Sequence, residues 1–470
     1  MPDTIAAIAT AQGTAAVGIV RISGAQTRRV LAALFTPMNG RSAAALLPRR
    51  MTYGTVRDAE GRTLDHALAV VFSAEHSYTG EESAELHCHG SPVVLQEVLR
   101  AAFAVGARQA RAGEFTERAF LNGKMDLTEA EAVIDLIDAE TAEAARNAAA
   151  QVDGALRRPV ERVYDALLDL TSRFYAVVDY PDEDIEDLTL AETERALAES
   201  ERTLAALLGT FARGRVLKSG VATAIVGAPN AGKSSLLNAL VGCDRAIVTD
   251  IPGTTRDTVE EKAVVGGVLL RLIDTAGIRE TDDAVERLGV ERSRRAVESA
   301  DLVLALLDGS AASPLPEERA AERLALLALA AGSGKPWLLL VTKSDLGGGM
   351  GAVPDGDWRA PEADWRAPEA VVALSSVTHE GFDTLEAAIR RLYPASPAGG
   401  TLLTNARQAE AVRRALDAVR AAKDALTAGL TPDVVLTESE GALAALGELT
   451  GRTAREDMVA RIFERFCVGK

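Results

Sequence analysis

The sequence predicts a multidomain chain that combines two α/β domains with one all-α domain. At 470 residues the chain exceeds what a single hydrophobic core usually organises. Strand-like runs and short helices fill its first part, and helical spacing follows on both sides of a segment in which strands alternate with helices. These observations predict an N-terminal α/β domain, a helical domain that is discontinuous in sequence, and a second α/β domain inserted into it.

The domain boundaries are placed at changes of pattern and at linker-like composition. A Pro/Gly/Ser-rich stretch at 394–400 marks the end of the inserted domain. The predicted segments are the N-terminal domain, the first helical part, the inserted domain and the second helical part, at 1–120, 121–218, 219–394 and 395–470.

Local patterns support the first two segments. Short apolar runs at 17–22 and 67–72 are rich in β-branched residues and predict strands. Thr128 and Glu131 form a capping-box pattern, which predicts the start of a helix. Apolar residues then recur at helical spacing and are predicted to face a core: Val133, Leu136, Ile137, Leu156, Val160, Val163, Tyr164 and Leu167.

Composition excludes several classes of protein. The chain has no apolar run of about 20 residues and no N-terminal signal pattern, so a membrane protein is not expected. Its three cysteines are far apart, which favours a reducing cytoplasm over a disulfide framework. The formal charge of −17 opposes nucleic-acid binding over a broad surface. Any RNA contact should therefore be confined to a local patch or shared with a partner.

The inserted domain carries a phosphate-binding loop. Residues 227–234 read Gly-Ala-Pro-Asn-Ala-Gly-Lys-Ser and lie between an apolar strand pattern and a helical pattern. The glycines let backbone N–H groups converge on phosphate oxygens at the positive end of the helix. Lys233 is expected to reach the outer phosphates, and the Ser234 hydroxyl to hold magnesium.

Four later segments narrow the nucleotide to GTP. A switch-like segment at 249–257 contains a threonine, Thr255, that can complete the magnesium shell. Predicted strands end in Asp-Thr-Ala-Gly at 274–277 and in Thr-Lys-Ser-Asp at 342–345. The Asp345 carboxylate can accept two guanine N–H groups that adenine lacks, and a last strand ends in a second base-side loop at Ser375. Their order predicts a Ras-like P-loop GTPase domain.

The nucleotide is expected to contact the phosphate-binding loop and the four later segments. The predicted GTP-binding residues are Asn230, Ala231, Gly232, Lys233, Ser234, Ser235, Thr249, Asp250, Ile251, Pro252, Gly253, Thr254, Thr255, Asp274, Thr275, Ala276, Gly277, Thr342, Lys343, Ser344, Asp345, Ser375, Ser376 and Val377.

Two positions depart from the usual GTPase pattern. Thr342 stands where the guanine motif normally begins with Asn, which is expected to weaken base affinity while Asp345 keeps the discrimination. Ile278 stands where signalling GTPases place the glutamine that orients the attacking water. Hydrolysis therefore needs another group, and the acidic residues at 280–286 are candidates. A cation bound by the Asn230 side chain is one further source of positive charge, and a simple turn-favouring role for Asn230 is the alternative.

The flanking segments resemble a known family. The chain is similar from end to end to the MnmE (TrmE) family of tRNA-modification GTPases. The motifs that carry this resemblance lie at 3–10, 18–24, 77–81, 85–90, 113–127 and 466–470. The last of these, Phe-Cys-Val-Gly-Lys, is similar to the C-terminal Cys-x-Gly-Lys of that family.

The resemblance implies a reaction at C5 of the wobble uridine in certain tRNAs. A carboxymethylaminomethyl (aminomethyl-type) group is added with the help of a flavin-dependent partner protein, which holds the FAD, and a tetrahydrofolate derivative (5-formyl- or methylene-tetrahydrofolate). GTP is the substrate of this chain, with Mg2+ and K+ as cofactors. The N-terminal domain of the family binds the folate and makes a homodimer, which joins the partner in a heterotetramer. A cytoplasmic protein with no membrane contact is implied.

The resemblance also implies residue roles. Formyl-tetrahydrofolate would be held by Arg21, Glu85, Lys124 and Lys470. Potassium would stand where an arginine finger would be, with four positions matching its ligands: Asn230, Thr249, Ile251 and Thr254. Glu286 matches the acidic residue that orients water, so the catalytic residues are expected to be Glu286 and Lys233.

Other interpretations stay open or are set aside. A switch-type GTPase in ribosome assembly, without covalent chemistry, is the main alternative, and a folate enzyme with a vestigial switch is a third. For Cys467 a small packing residue and a reactive thiol near the transferred carbon are both open. His87 and His89 share a strand face, which favours a buried or folate-lining role over a metal site. The perfect tandem repeat at 357–370 predicts a surface loop.

Overall fold

The chain divides into two compact units. The computed structural model describes residues 3–11, 13–179, 190–243, 261–273, 286–310, 317–347, 366–394, 402–464 and 466–469. The first unit contains Met1–Ile134, Ala149–Ala206 and Glu410–Lys470, and the second contains Asp135–Ala148 and Leu207–Ala409. The N-terminal sheet and helices from both ends of the chain thus share one unit. The three-domain boundaries drawn from the sequence remain a prediction.

The first unit begins with a seven-stranded sheet. Its strands are β1 Ile5–Ile8, β2 Ala15–Ser23, β3 Phe35–Pro37, β4 Thr52–Arg57, β5 Thr63–Phe72, β6 Ser83–Gly90 and β7 Arg108–Gln109. They lie in the order β3-β4-β5-β6-β2-β1-β7, antiparallel except for the parallel pair β1–β7. Helices α1 Thr27–Leu34 and α2 Pro92–Ala104 pack with the sheet in one apolar core. Both strands predicted from β-branched runs lie within β2 and β5.

Alternation along β2 and β6 separates the two faces of this sheet. Val20 and Leu86 are buried in the core with the helices. Arg21 and Glu85 lie directly opposite each other in the register of these strands and point to the other face. Because side chains alternate along a strand, the same register that builds the core places an arginine beside a carboxylate.

A buried ion network fixes the start of this unit. Helix α3, Glu114–Leu121, carries Arg118, whose side chain is only 1% exposed. The Arg118 guanidinium donates to Glu81 Oε2 at 2.8 Å, to Asp3 Oδ1 at 2.9 Å and to Glu114 Oε1 at 3.0 Å. A buried charge is tolerated only when it is paired and hydrogen-bonded. Arg118 therefore ties the N-terminus and the loop before β6 to α3.

The remaining helices continue in chain order. They are α4 Leu127–Ile137, α5 Ala142–Val152, α6 Arg157–Asp179, α7 Leu190–Gly209, α8 Phe211–Ser219, α9 Lys233–Cys243, α10 Glu286–Ser299, α11 Glu317–Ala331, α12 Phe382–Leu392, α13 Ala406–Thr427, α14 Pro432–Thr450 and α15 Glu456–Phe463. Short 3-10 helices lie at Ala43–Ala45, Ala74–His76 and Ser344–Leu346. Helices α6 and α14 pack together, so segments from both flanks of the insertion meet in the first unit. None of the helices in the described ranges is both long and apolar enough to cross a bilayer.

The capping box predicted at Thr128 and Glu131 is wrong by two residues. Helix α4 begins at Leu127, and Asp126 Oδ1 accepts the backbone N–H of Glu129 at 2.8 Å. Glu129 Oε2 accepts the backbone N–H of Asp126 in return, also at 2.8 Å. Aspartate caps as well as threonine does, so the Asp-x-x-Glu pattern takes the role.

The predicted helical stripes are correct only in part. Four of the predicted core residues are buried, namely Leu156, Val160, Val163 and Leu167. Leu136 and Ile137, near the end of α4, are 39% and 47% exposed. Helical spacing shows which residues share a face of the helix. It does not show how far along the helix a neighbouring element covers that face.

The second unit holds a six-stranded sheet. Its strands are β8 Val221–Gly227, β9 Glu261–Val265, β10 Val268–Ile273, β11 Leu302–Asp308, β12 Trp337–Thr342 and β13 Ala370–Ala373. The order is β13-β12-β11-β8-β10-β9, parallel except for the edge strand β9. Residues of α9 and α12 pack in one core and residues of α10 and α11 in another, as expected for helices on both sheet faces. Ligands of such sheets bind beyond the carboxyl ends of the strands, where β8 and β12 end in the predicted motifs.

Candidate functional site

The glycine loop has the backbone conformation of a phosphate cradle. Strand β8 ends at Gly227 and helix α9 begins at Lys233, so the loop connects them directly. Asn230 and Gly232 have positive φ angles of 64° and 90°. Asparagine and glycine are the residues that tolerate this conformation, which supports the turn-favouring interpretation of Asn230. The loop thereby leads its backbone to the positive end of α9.

Lys233 lies back over this loop. Its ammonium donates to the carbonyl oxygens of Gly227 and Ala228, both at 2.8 Å. The Lys233 ammonium is partly buried, and this loss of solvation lowers its pKa. Ser234 and Ser235 follow on the first turn of α9 and are exposed. The loop thus presents one ammonium group and two hydroxyl-bearing residues at the helix start.

Thr342 connects the guanine motif to the phosphate loop. The side chain is 2% exposed, and its hydroxyl lies 2.7 Å from the Ala231 carbonyl oxygen and 3.1 Å from that of Leu307. Gly232 approaches the same side chain, since a Cβ at Gly232 would lie 3.6 Å from Thr342. Thr342, which replaces the usual Asn, therefore still supplies a hydrogen-bond donor that links the guanine motif to the phosphate loop.

We predict that the conservative variant Thr342→Val weakens GDP binding about tenfold. Valine matches the shape of threonine but leaves a buried carbonyl oxygen without its partner, which costs about 1–3 kcal/mol. The dissociation constant can be measured with a fluorescent GDP analogue, and Thr342→Ser, which keeps the hydroxyl, serves as the control. Equal affinities of the valine and serine variants would contradict a linking role for the hydroxyl.

The rest of the guanine motif turns at the end of β12. Lys343 adopts a left-handed conformation with a φ of 59°, and its ammonium pairs with Asp308 Oδ2 at 2.7 Å. This pairing opposes the effect of burial and lowers the pKa of Asp308. Asp345 follows in a 3-10 turn and is exposed, so its carboxylate is accessible to a base. The Ser344 side-chain oxygen is buried and, among the described residues, has no hydrogen-bond partner.

The second base-side loop is built around Ser375. This residue is fully buried, and its hydroxyl oxygen accepts the backbone N–H groups of Val377 and Thr378, both at 3.2 Å. Ser376 is partly exposed and Val377 fully presented to solvent at 80% exposure. Ser344 N–H donates to the Leu374 carbonyl at 3.3 Å, which joins the two base-side loops. The structure therefore brings together the predicted phosphate loop and both base-side loops.

Several predicted site residues lie outside the described residues. They are Thr249, Asp250, Ile251, Pro252, Gly253, Thr254, Thr255, Asp274, Thr275, Ala276, Gly277 and Lys470. Ile278 and most of the tandem repeat also lie there. Glu286 is described as the first residue of α10, without its side chain.

A second polar site lies on the open face of the N-terminal sheet. Arg21 Nε donates to Glu85 Oε1 at 3.0 Å, and His87 Nε2 lies 3.1 Å from Glu85 Oε2. The Arg21 guanidinium is 5.7 Å from the ring centroids of both Tyr78 and Phe115. A half-buried arginine, a carboxylate and two aromatic rings thus converge on one face.

Lys124 and Gly469, the residue before Lys470, are linked to the same region through their neighbours. Lys124 donates to the Glu75 carbonyl oxygen at 2.5 Å, in the segment that also carries Tyr78. Gly469 lies against the end of β1, because a Cβ there would be 2.3 Å from the Ile8 carbonyl oxygen. Strand β1 pairs with β2 beside Arg21. The residue before Lys470 is therefore held at the edge of the second polar site.

The remaining sequence candidates behave differently. His89 is exposed and bonded to Asp65 at 2.7 Å, so the expectation of a buried side chain is wrong for His89, while a folate-lining role stays a prediction for both histidines. Cys467 is exposed, which disagrees with the interpretation of this residue as a packing side chain. The Arg118 network was missed from sequence, although it lies inside the quoted motif at 113–127.

Comparison with known proteins covers the whole chain. A family model described as the MnmE helical domain matches residues 127–467, and one described as the GTP-binding protein TrmE N-terminus matches residues 4–124. A protein of Symbiobacterium thermophilum named tRNA modification GTPase MnmE is 43% identical over 468 residues, covering 100% of this chain and 99% of that protein. The chain belongs to the MnmE family. Relatives with the same name from Roseiflexus castenholzii and Synechococcus elongatus are 43% and 41% identical, and each alignment covers 100% of this chain and 99% of the relative.

Membership in the MnmE family confirms two predictions from the sequence. The family was predicted from motifs along the whole chain. Of the enzyme class, GTP hydrolysis was predicted from the order of the nucleotide motifs and the part in tRNA modification from the resemblance. The coarse architecture is also confirmed, with a TrmE-type N-terminal domain, a helical domain and a nucleotide-binding α/β sheet. The FeoB G domain of Methanococcus jannaschii aligns with 36% of this chain and 96% of its own at 26% identity, but the TM-score of 0.25 is too low to support an argument.

Proposed function

We propose that this chain hydrolyses GTP to GDP and phosphate in a potassium-dependent reaction that drives modification of tRNA. With a flavin-dependent partner, it adds a carboxymethylaminomethyl (aminomethyl-type) group to C5 of the wobble uridine of certain tRNAs. The observation that carries this proposal is similarity along the entire chain to proteins named tRNA modification GTPase MnmE. We place the protein in the cytoplasm.

Hydrolysis uses electrostatic positioning by the phosphate loop. Lys233 exchanges its contacts with two carbonyl oxygens for the outer phosphate oxygens, whose negative charge grows in the transition state. Ser234 on the first turn of α9, with Thr255, holds magnesium, which neutralises phosphate charge when bound. Asp345 accepts the guanine N–H groups, and Glu286 orients the attacking water. The exposed position of Ser234 and Asp345 in the described loops supports these assignments.

Potassium dependence is predicted to vanish in Asn230→Gly. Glycine adopts the φ of 64° without strain, so this variant removes the side-chain oxygen and keeps the loop conformation. Turnover of wild type is expected to be about tenfold higher in potassium than in sodium, a difference of about 1.4 kcal/mol in barrier height. The variant should show the sodium rate in both salts. Identical wild-type turnover in the two salts would remove Asn230, Thr249, Ile251 and Thr254 from the list of cation ligands.

The second polar site is the proposed place for formyl-tetrahydrofolate. Glu85 can accept the amide-like edge of a pterin, while Arg21, Lys124 and Lys470 suit its glutamate tail. Tyr78 and Phe115 beside Arg21 supply flat apolar surface for the pterin ring. The convergence of Arg21, Glu85, Tyr78 and Phe115 on one sheet face supports the assignment.

We predict that Glu85→Gln weakens binding of formyl-tetrahydrofolate by about 10- to 100-fold. The amide offers one acceptor and one donor group where the carboxylate offers two acceptors, and charge-assisted hydrogen bonds contribute about 1.5–3 kcal/mol. Calorimetry on the full chain measures the affinity. Glu82→Gln is a matched control, since Glu82 pairs with Arg28 at 2.6 Å rather than with Arg21. Loss of equal size in both variants would count against the site.

A homodimer through the N-terminal domain is part of the proposal. Apolar side chains are exposed on the same sheet, including Val17 at 53%, Tyr53 at 52% and Leu68 at 38%. Tyr53 and Leu68 are direct neighbours in the β4–β5 register. An exposed apolar patch of this kind supports association, and two copies with the flavoprotein would form a heterotetramer.

Nucleoside analysis of tRNA is the experiment that tests the proposed function. Cells that lack this protein should lose the modified wobble uridine, and expression of the wild-type chain should restore it. Restoration should fail with the Lys233→Met variant. Normal wobble uridine in the deleted cells would refute the proposal and favour a switch-type GTPase of ribosome assembly.

A further inference from the structure

A cavity of about 750 Å³ lies in the first unit. It is bordered by the end of α3 and the turn after it, by the start of α6, and by the connection between α14 and α15. The half-buried ring of Phe120 lines it, with Leu121 exposed at 54%. Its volume falls in the range of small-molecule and nucleoside pockets, which is about 300–1,000 Å³.

Asp126 supplies an unsatisfied acceptor at this cavity. Its Oδ1 atom receives the Glu129 N–H and the Thr128 hydroxyl as the cap of α4. Its Oδ2 atom is buried and, within the described part of the chain, has no hydrogen-bond partner. An unsatisfied buried carboxylate oxygen is costly, so a ligand that donates an N–H group to it gains affinity.

Two arginines lie at the same cavity. Arg157 Nε donates to Glu161 at 2.9 Å, and Arg452 Nη2 donates to the same oxygen at 3.3 Å. Both side chains are about two-fifths exposed, at 40% and 42%. The Arg452 guanidinium lies 4.4 Å over the Tyr164 ring. Two half-exposed guanidinium groups sharing one carboxylate retain donors for an anion, and a guanidinium plane also stacks on a base.

We propose that this cavity receives a single unstacked nucleotide of the tRNA. The base would stack against Phe120 and Arg452 and donate an N–H group to Asp126, and Arg157 would contact the adjoining phosphate. Proteins read single-stranded RNA in this way, and enzymes that modify a base must take it out of its stack. The inference rests on tRNA being the substrate, as proposed above, and it assigns the residues that hold the RNA.

Charge limits how much of the RNA this cavity can hold. The chain carries a net −17, so a ligand with many phosphates is repelled from most of its surface. In the cavity lining, Arg157 and Arg452 lie among three carboxylates, those of Glu117, Asp126 and Glu161. The cavity therefore suits one extruded nucleotide whose phosphate contacts Arg157, while the other phosphates of the RNA remain outside.

Two substitutions test the proposal, and tRNA binding to the full-length protein is measured for each. Asp126→Asn removes a negative charge from the cavity, and Arg452→Gln removes a positive charge. Asp126→Asn keeps the helix cap, because asparagine caps as well as aspartate does. If the RNA sensed only charge, removal of this carboxylate would tighten binding, whereas loss of the base acceptor weakens it. We expect a dissociation constant about fivefold higher, in line with the penalty for an unpaired buried polar group.

Arg452→Gln tests the stacking role against a matched control. We expect about tenfold weaker binding, since base stacking contributes about 1–3 kcal/mol. Arg455→Gln removes the same charge three residues away from a side chain that is 83% exposed and pairs with Asp457 at 3.0 Å. It is expected to change the affinity by less than about twofold. Equal effects of the two arginine variants would overturn the proposal, as would tighter binding by Asp126→Asn.

Crosslinking of the wild-type protein provides a test that needs no variant. A tRNA transcript with 4-thiouridine in place of uridine should crosslink to peptides within 117–126 or 450–460, and crosslinks confined to other peptides would overturn the proposal. If the wild-type chain binds no tRNA while it turns over GTP, the proposed substrate fails with it. If tRNA binds and the three variants match wild type, only the cavity assignment fails.

Discussion

Replacing Lys233 with methionine is expected to lower kcat for GTP hydrolysis by about 10²- to 10³-fold, the effect of removing one preorganised donor from a developing oxyanion. The Lys233 ammonium is the one cation of the phosphate loop at 227–234. Methionine keeps much of the length and apolar character of the stem, so the change is mainly the loss of charge and of hydrogen bonds. Burial already lowers the pKa of this ammonium, which places it where electrostatic interactions are stronger than in water.

The control for Lys233 is another lysine that bonds to backbone carbonyl groups. Lys335 donates to the Val297 carbonyl at 2.8 Å, in the same unit but away from the motif loops. Lys335→Met should therefore leave kcat within about twofold of wild type, although it removes a similar hydrogen bond. Single-turnover hydrolysis, with the protein in saturating excess over GTP, measures the chemical step. Comparable loss in both variants would show that carbonyl capping, rather than phosphate contact, explains the effect.

Features that depend on consecutive residues could be predicted from the sequence. The strand, glycine loop and helix around Lys233 follow one another in the chain, so spacing alone fixes their order. The same holds for β2, β5 and the carboxyl end of β12. The two loops predicted to face the base also follow the carboxyl ends of β12 and β13, because parallel strands bring these ends to the same edge of a sheet.

Features that depend on distant residues could not be predicted in this way. The Thr342 hydroxyl donates a hydrogen bond to the carbonyl oxygen of Ala231, which lies 111 positions earlier. From the sequence, threonine in place of Asn was expected only to weaken the affinity for the guanine base. Arg118 meets Asp3 across 115 positions. The error in the capping box has a local cause, since Asp126, Thr128 and Glu129 all have side chains suited to a helix start. Choosing among them requires the position of the preceding turn.

Arg118→Met is expected to destabilise the first unit by about 3–5 kcal/mol, the cost of removing one partner from a buried ion pair. Three carboxylates, those of Asp3, Glu81 and Glu114, lose a guanidinium that lies within 3.0 Å of each. Arg100→Met is the matched control, because Arg100 is 71% exposed and pairs with Glu97 at 2.6 Å in the first unit. That exposed pair should contribute about 1 kcal/mol at most.

The penalty should also depend on pH. Burial tends to raise the pKa of Glu114, but hydrogen bonds from Arg108, from the Arg111 backbone and from Arg118 outweigh it and lower the pKa to about 2, from an ordinary value of 4.5. A carboxyl group with a lowered pKa in the folded state contributes stability above its ordinary value, and this contribution is lost as the pH falls from 4.5 towards 2. The difference between wild type and Arg118→Met should therefore shrink across that window.

The sequence offers a way to assign this loss to one unit. Trp337 is buried in β12 of the second unit, so its fluorescence in urea follows that unit. Hydrogen exchange of the β2 amides reports opening of the first unit, because these amides bond across the centre of its sheet. We expect Arg118→Met to accelerate exchange in β2 while the tryptophan transition stays in place. Unchanged β2 exchange near neutral pH would mean that the network contributes little to stability, since Arg118→Met removes one buried ion-pair partner from each of three carboxylates.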